Sequence, residues 1–221
     1  SITMEISLPC RAIVCGDSIA AGVIYDETTN RYKKHTKGFI KLLAQNWNGS
    51  LINLGRFGNT ISNALPRLNH QIEKEKPHLV FIELGGNDCD FQWEEIAASP
   101  KSLHIPATPV EVFENVLFQT VRNLLKQNIV PILCTLPPID AERYFTRISK
   151  GRQELAQPIL EWLGSVSRIY WWHERYNAAI LTVADKTNSH LIDFRSPFLL
   201  SPDYRKLICP DGIHPNETGQ A

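Results

Sequence analysis

Five short apolar runs, at residues 11–15, 51–55, 79–84, 129–134 and 190–194, recur along the 221-residue chain, and amphipathic segments fill most of the space between them. Strand-like runs alternating with helical patterns are the signature of a three-layer α/β domain with a parallel sheet, and right-handed crossovers leave few ways to wind it. The run at 79–84 is apolar almost throughout, as a strand buried on both faces must be. Apolar residues at helical spacing predict helices over 39–47, 60–75, 110–127, 153–163 and 170–186, with Pro77 ending the second and Pro66 in its first turn or at a kink. Pro131 has no N–H for a ladder, so it must stand near the start of the fourth strand or where its neighbour needs no donor. Residues 25–37 read as a polar loop, and 88–109 and 137–151 as long irregular excursions above the strand ends. With 43% hydrophobic residues the chain can bury a large core, so residues 1–221 are expected to form one domain.

The first run ends in Gly16-Asp17-Ser18 and passes into small residues, which reads as strand, tight turn and helix start. A hydroxyl at the carboxyl end of a first parallel strand lies where open α/β sheets put their ligand crevice, and at a helix N-terminus that favours developing negative charge. Ser18 is therefore a candidate nucleophile, although the tripeptide alone reads equally as a turn with Ser as helix cap.

Three further segments carry what acyl transfer needs. Asn53-Leu54-Gly55-Arg56-Phe57-Gly58 follows the second run, and its glycines let a backbone N–H approach a ligand closely. Gly85-Gly86-Asn87-Asp88 offers an amide side chain on a turn after the third. In Asp211-Gly212-Ile213-His214, a neutral imidazole can take the hydroxyl proton, and a carboxylate three residues earlier can curl back to fix its tautomer. Asn87 and the N–H groups of Ser18 and Gly55 would stabilise a tetrahedral oxyanion. Singly each segment has an ordinary explanation as a turn, cap or surface residue; four in this order at one end of a sheet do not.

These blocks resemble those of the SGNH (GDSL-like) hydrolase family, and the resemblance covers nearly the whole chain. Gly16-Asp17-Ser18-Ile19 is similar to the first block with Ile where Leu is usual, Asn53-x-Gly55-x-x-Gly58 to the second, Gly85-x-Asn87-Asp88 to the third and Asp211-x-x-His214 to the last. The resemblance implies Ser18 as nucleophile, His214 as base, Asp211 as third triad member, and Ser18, Gly55 and Asn87 as oxyanion donors. It also implies a flavodoxin-like five-stranded parallel sheet ordered 2-1-3-4-5 with helices on both faces. The pattern at 214–221 begins a helix and stops, so the chain is expected to lack its natural C-terminal helix.

Composition narrows the ligand. Lys plus Arg (23) balance Asp plus Glu (23), so there is no basic surplus for nucleic acid or anionic lipid, and no apolar run approaches the roughly 20 residues of a membrane span. Five cysteines, three of them (Cys10, Cys15 and Cys134) in or beside strand-like runs, read as free thiols in a reducing, cytoplasmic compartment. No P-loop, dinucleotide fingerprint or Cys-x-x-Cys or His-Glu-x-x-His spacing occurs, so no cofactor or metal is expected, and Cys89 and Cys209 beside the blocks do not read as a redox pair. The expected activity is hydrolysis of a small acyl or acetyl ester through an acyl-enzyme. The alternatives are a carbohydrate O-deacetylase or acyl transferase on the same triad, and a non-catalytic ligand-binding module of the same fold. In the excursions, Trp93 and Tyr144 are candidate substrate-binding residues, and Phe91, Leu103, Ile105, Ile139 and Phe145 are further candidates for the wall of an acyl pocket or for pinning the loops to the body.

Overall fold

A computed structural model describes residues 10–17, 23–26, 31–34 and 48–220 of the chain. The main sheet has five strands in the order β4-β1-β5-β6-β7, all parallel: β1 (Cys10–Gly16), β4 (Gly49–Asn53), β5 (Leu79–Glu83), β6 (Val130–Cys134) and β7 (His190–Ile192). Counting only these five, the order is the expected 2-1-3-4-5. Ile13 pairs with Ile52 on one side and Val80 on the other, and all of β5 is buried, as its continuous apolar run requires. Pro131, second in β6, stands near the strand start.

Strand residues alternate between the two faces, so Ile13, Cys15, Val80, Ile82 and Leu133 pack with helices Ile61–Glu75, Val110–Lys126 and Ser167–Thr187 on one side, while Ala12, Val14, Phe81 and Ile132 form a smaller cluster on the other. Helix Ile61–Glu75 starts where Thr60 accepts from the Asn63 N–H and ends at Lys76, whose φ of 44° places it in the left-handed region.

Three expectations need correction. Residues 23–26 and 31–34, within and beside the expected polar loop, form an antiparallel hairpin, β2 (Val23–Asp26) with β3 (Arg31–Lys34), in which Tyr25 faces Tyr32. The charged residues of this stretch obscure the two short strands in the sequence pattern. The excursion at 88–109 contains a short helix, Trp93–Ala98, and that at 137–151 contains Ala141–Ile148, which is capped by Asp140 accepting from the Arg143 N–H. With helix Gln153–Leu163 they build a third cluster (Phe91, Ile96, Ile139, Tyr144, Ile159, Ile169) that roofs the carboxyl ends of the strands. The helix expected at 39–47 lies outside the described residues, as do residues 18–22. No helix among the described residues is long and apolar enough to cross a membrane.

Candidate active site

The chain between Cys209 and Pro215 is folded back on itself: the Cys209 N–H donates to the His214 carbonyl at 2.7 Å, and the Gly212 N–H donates to the Cys209 carbonyl at 3.0 Å. Gly212 has a φ of +81°, and a Cβ there would meet the Asp140 carbonyl oxygen and the Tyr144 nitrogen at 2.5 Å, so only glycine fits. The turn brings Asp211 and His214 together, 1% and 4% exposed, with Asp211 Oδ2 2.6 Å from His214 Nδ1. The other carboxylate oxygen accepts from the backbone N–H groups of Ile213 (3.0 Å) and His214 (3.1 Å). Burial alone would push the Asp211 carboxyl up; the hydrogen bond and charge of His214 and the two backbone donors outweigh it and hold the group below its usual range. The Phe57 ring lies parallel to the His214 imidazole, with centroids 6.1 Å apart and planes 10° from coplanar.

Ser18 lies outside the described residues, but its neighbour Asp17 is fixed. The Asp17 N–H donates to the Glu83 carbonyl at 3.2 Å and to Glu83 Oε2 at 3.1 Å, and Glu83 is fully buried at the end of β5. Asn87 follows β5, and its side-chain amide donates to the Asn59 carbonyl at 3.1 Å and approaches Asp17 Oδ2 at 3.5 Å, so this residue stands beside the exit of β1. The Gly55 N–H is engaged: it donates to Asn53 Oδ1 at 2.8 Å, and the exposed Asn53 side chain must turn aside before that donor can serve a ligand.

Asp88 has a different task from its neighbour Asn87. Fully buried, it accepts from the Ile61 N–H at the start of helix Ile61–Glu75 (3.1 Å) and from the Thr108 hydroxyl (2.7 Å), so it ties the glycine turn to a helix end and to the far end of the loop. Burial pushes its carboxyl up to about 6 despite those donors.

Two openings meet at Asn87 and His214. The smaller one is a cavity of about 70 Å³, lined on the strand side by Asp17 and Leu136 and under the roof by Ile139, Ile169, Trp172 and His173. The other is an open cleft of about 410 Å³ whose walls include Phe57, Gln92, Glu94, Arg147 and Lys150. Trp93, Tyr144 and Asp90 border both. Asp90 Oδ1 accepts from the Tyr144 hydroxyl at 2.6 Å and the Trp93 indole N–H at 2.8 Å. Of the other apolar candidates, Phe91 and Ile139 line the cavity, whereas Leu103 and Ile105 are 91% and 68% exposed and lie elsewhere.

No group of three or more His, Cys, Asp or Glu side chains among the described residues could hold a metal ion. The five cysteines form no disulfide; Cys89 lies against the Gly86 carbonyl, and burial raises its thiol well above the ordinary range.

A family model for GDSL-like lipases and acylhydrolases matches residues 14–221. The chain belongs to the GDSL-like lipase/acylhydrolase family. It is a hydrolase of ester bonds. Among solved structures of the same fold, a lipase/acylhydrolase from Enterococcus faecalis is 20% identical with a TM-score of 0.65, the match covering 95% of this chain and 88% of that one. An acetyl-xylooligosaccharide esterase from Geobacillus Stearmophilus is 19% identical with a TM-score of 0.64, covering 98% and 91%. The acetyl xylan esterase AlAXEase is 24% identical with a TM-score of 0.60, covering 95% and 93%. A search of curated proteins found no match.

Asp90 and His173 are site residues that sequence reasoning missed. His173 had a signal: with Ile169, Tyr176 and Ile180 it keeps the three-four spacing of a buried helix face. Asp90 had none beyond following the Gly85-x-Asn87-Asp88 block.

Proposed function

We propose that this esterase works through an acyl-enzyme on Ser18, with His214 as general base and Asp211 as the group that holds the imidazole. The Ser18 hydroxyl oxygen bonds to the acyl carbon while its proton passes to His214 Nε2; the tetrahedral intermediate then expels the alcohol, which takes the proton back from His214. Water repeats the sequence in reverse order and frees the acid. The Asn87 amide and the N–H groups of Ser18 and Gly55 are the donors assigned to the oxyanion, the last of them after Asn53 has turned away. The observation that carries this reading is the buried 2.6 Å contact between Asp211 and His214, set at the mouth of a cavity that Asp17 and Asn87 also line.

The two openings suggest how the ester divides. The smaller, mostly apolar cavity suits the acyl group, and the wider cleft, with Gln92, Glu94, Arg147 and Lys150 on its walls, suits a hydrophilic alcohol such as a sugar or polyol. The small volume of this cavity, about 70 Å³ against about 410 Å³ for the cleft, suits a short acyl chain. Rapid mixing with p-nitrophenyl acetate tests the acyl-enzyme: a burst of one p-nitrophenol per active site is expected, absent in Ser18→Ala and His214→Ala at unchanged Tm. Turnover by either variant near the parent rate would exclude the mechanism.

A further inference from the structure

Two buried ring nitrogens on the cavity lining, His173 Nδ1 and Trp172 Nε1, have no hydrogen-bond partner among the described residues, and the mechanism uses neither. His173 is 7% exposed and lines the same cavity as Asp17, Asn87 and His214, yet its Nδ1 has no hydrogen-bond partner among the described residues. Its neighbours Leu163 and Ile169 on that wall are apolar, and the indole N–H of Trp172 beside them can only donate. A buried ring nitrogen left without a partner is costly, and a leucine of similar size would avoid the cost, so packing does not account for a histidine here.

Its burial and a nearby arginine set its chemical state. Arg195, 5% exposed, donates to the carbonyls of Leu136 and Pro137, both on the cavity wall, and to Glu174, while its Nε also has no partner among the described residues. Burial, with the nearby Arg195 charge adding to it, pushes His173 down to about 3. The ring is therefore neutral at any working pH and presents one donor and one acceptor nitrogen.

We infer that His173 is a specificity-determining residue that hydrogen-bonds an oxygen carried on the acyl group, so that the enzyme takes short hydroxyacyl or oxoacyl esters in preference to alkanoyl esters of the same length. This rests on placing the acyl group in the smaller cavity. An uncharged oxygen matches a neutral ring that can both give and accept. A carboxylate tail would instead seek Arg168, an exposed cation on the rim of that cavity.

Two parallel series on the wild type, His173→Leu and His173→Gln test it: kcat/KM for p-nitrophenyl 3-hydroxybutyrate, butyrate and hemisuccinate, and calorimetric Kd for the corresponding free acids. The wild type is expected to favour the 3-hydroxybutyryl member over butyryl by about 10- to 100-fold in both series. His173→Leu should abolish that preference while keeping or improving butyryl, and His173→Gln should restore part of it. Equal treatment of the two acyl groups by the wild type, equal losses in His173→Leu, or a succinyl preference that survives His173→Leu would each overturn the inference. If the wild type turned over none of the esters, the Ser18 mechanism would fall, and the acid-binding series would still decide the role of His173.

Discussion

Changing Asp211 to Asn exchanges one carboxylate oxygen for an NH₂ and reverses the logic of its hydrogen bonds. The asparagine carbonyl oxygen can keep the two backbone donors that Asp211 Oδ1 now accepts, from Ile213 at 3.0 Å and His214 at 3.1 Å, so the turn should survive. Its NH₂ then faces His214 Nδ1 across the 2.6 Å contact, which obliges that nitrogen to accept and puts the ring proton on Nε2, where it cannot take a proton from Ser18. Restoring the working tautomer sets donor against donor in a site where Asp211 is 1% exposed, at about 1–3 kcal/mol, and the charge-assisted bond to the developing imidazolium, about 1.5–3 kcal/mol, is also lost. Together these raise the barrier by roughly 3–6 kcal/mol, a loss of about 10²- to 10⁴-fold in kcat with KM little changed. Steady-state hydrolysis of p-nitrophenyl acetate at pH 8, with Tm as a control, measures it. A loss below tenfold in a variant of unchanged stability would mean that Asp211 does not set the tautomer on which the mechanism depends.

Asn87→Ala should lower kcat by about 10²- to 10³-fold with little effect on KM, because an oxyanion donor acts mainly in the transition state; a raised KM at unchanged kcat would make Asn87 a ground-state contact. Gly212→Ala should cost more than about 2 kcal/mol in denaturant unfolding, since its Cβ would sit 2.5 Å from two backbone atoms at a φ of +81°; a stable, active variant would mean the turn relaxes freely. Asp88 binds its proton more tightly folded, at about 6, than at the ordinary 3.8, so its ionisation should remove up to roughly 3 kcal/mol of stability as pH rises through that window. Asp88→Asn should flatten the wild-type fall in unfolding free energy between pH 4 and pH 7, and an unchanged slope would refute the assignment. Asp211, whose carboxyl is held low, acts in the opposite sense and only at more acid pH. Trp93→Ala should improve kcat/KM for octanoyl relative to acetyl esters, each added methylene being worth about 0.8 kcal/mol where it gains a pocket; parallel losses for both would make Trp93 scaffold.

The sheet was legible because its strands are apolar on a two-residue or continuous pattern that no helix shares, and the site blocks because each stands just after such a run. The roof was not. Helix Ala141–Ile148 follows Pro137-Pro138 and is only eight residues long, and Trp93–Ala98 has six, lengths at which packing rather than periodicity decides whether a helix forms. The same limit hid the cavity: Ile139 and Tyr144 come from one excursion and Ile169 and His173 from a distant helix, segments that only the roof brings together, whereas Asp211 and His214 meet through one local turn. The engagement of Gly55 by Asn53 lay beyond reach for a further reason, since Asn-x-Gly is compatible with either a free or an occupied N–H.

The most direct test of the account is where a fluorophosphonate attaches. Incubation of the wild type with a fluorophosphonate probe, followed by intact-mass measurement and peptide mapping, should give one adduct per chain, on Ser18, with labelling slowed by orders of magnitude in His214→Ala and absent in Ser18→Ala. An adduct on another residue, or labelling of Ser18→Ala at the wild-type rate, would contradict the assignment of Ser18 as the nucleophile.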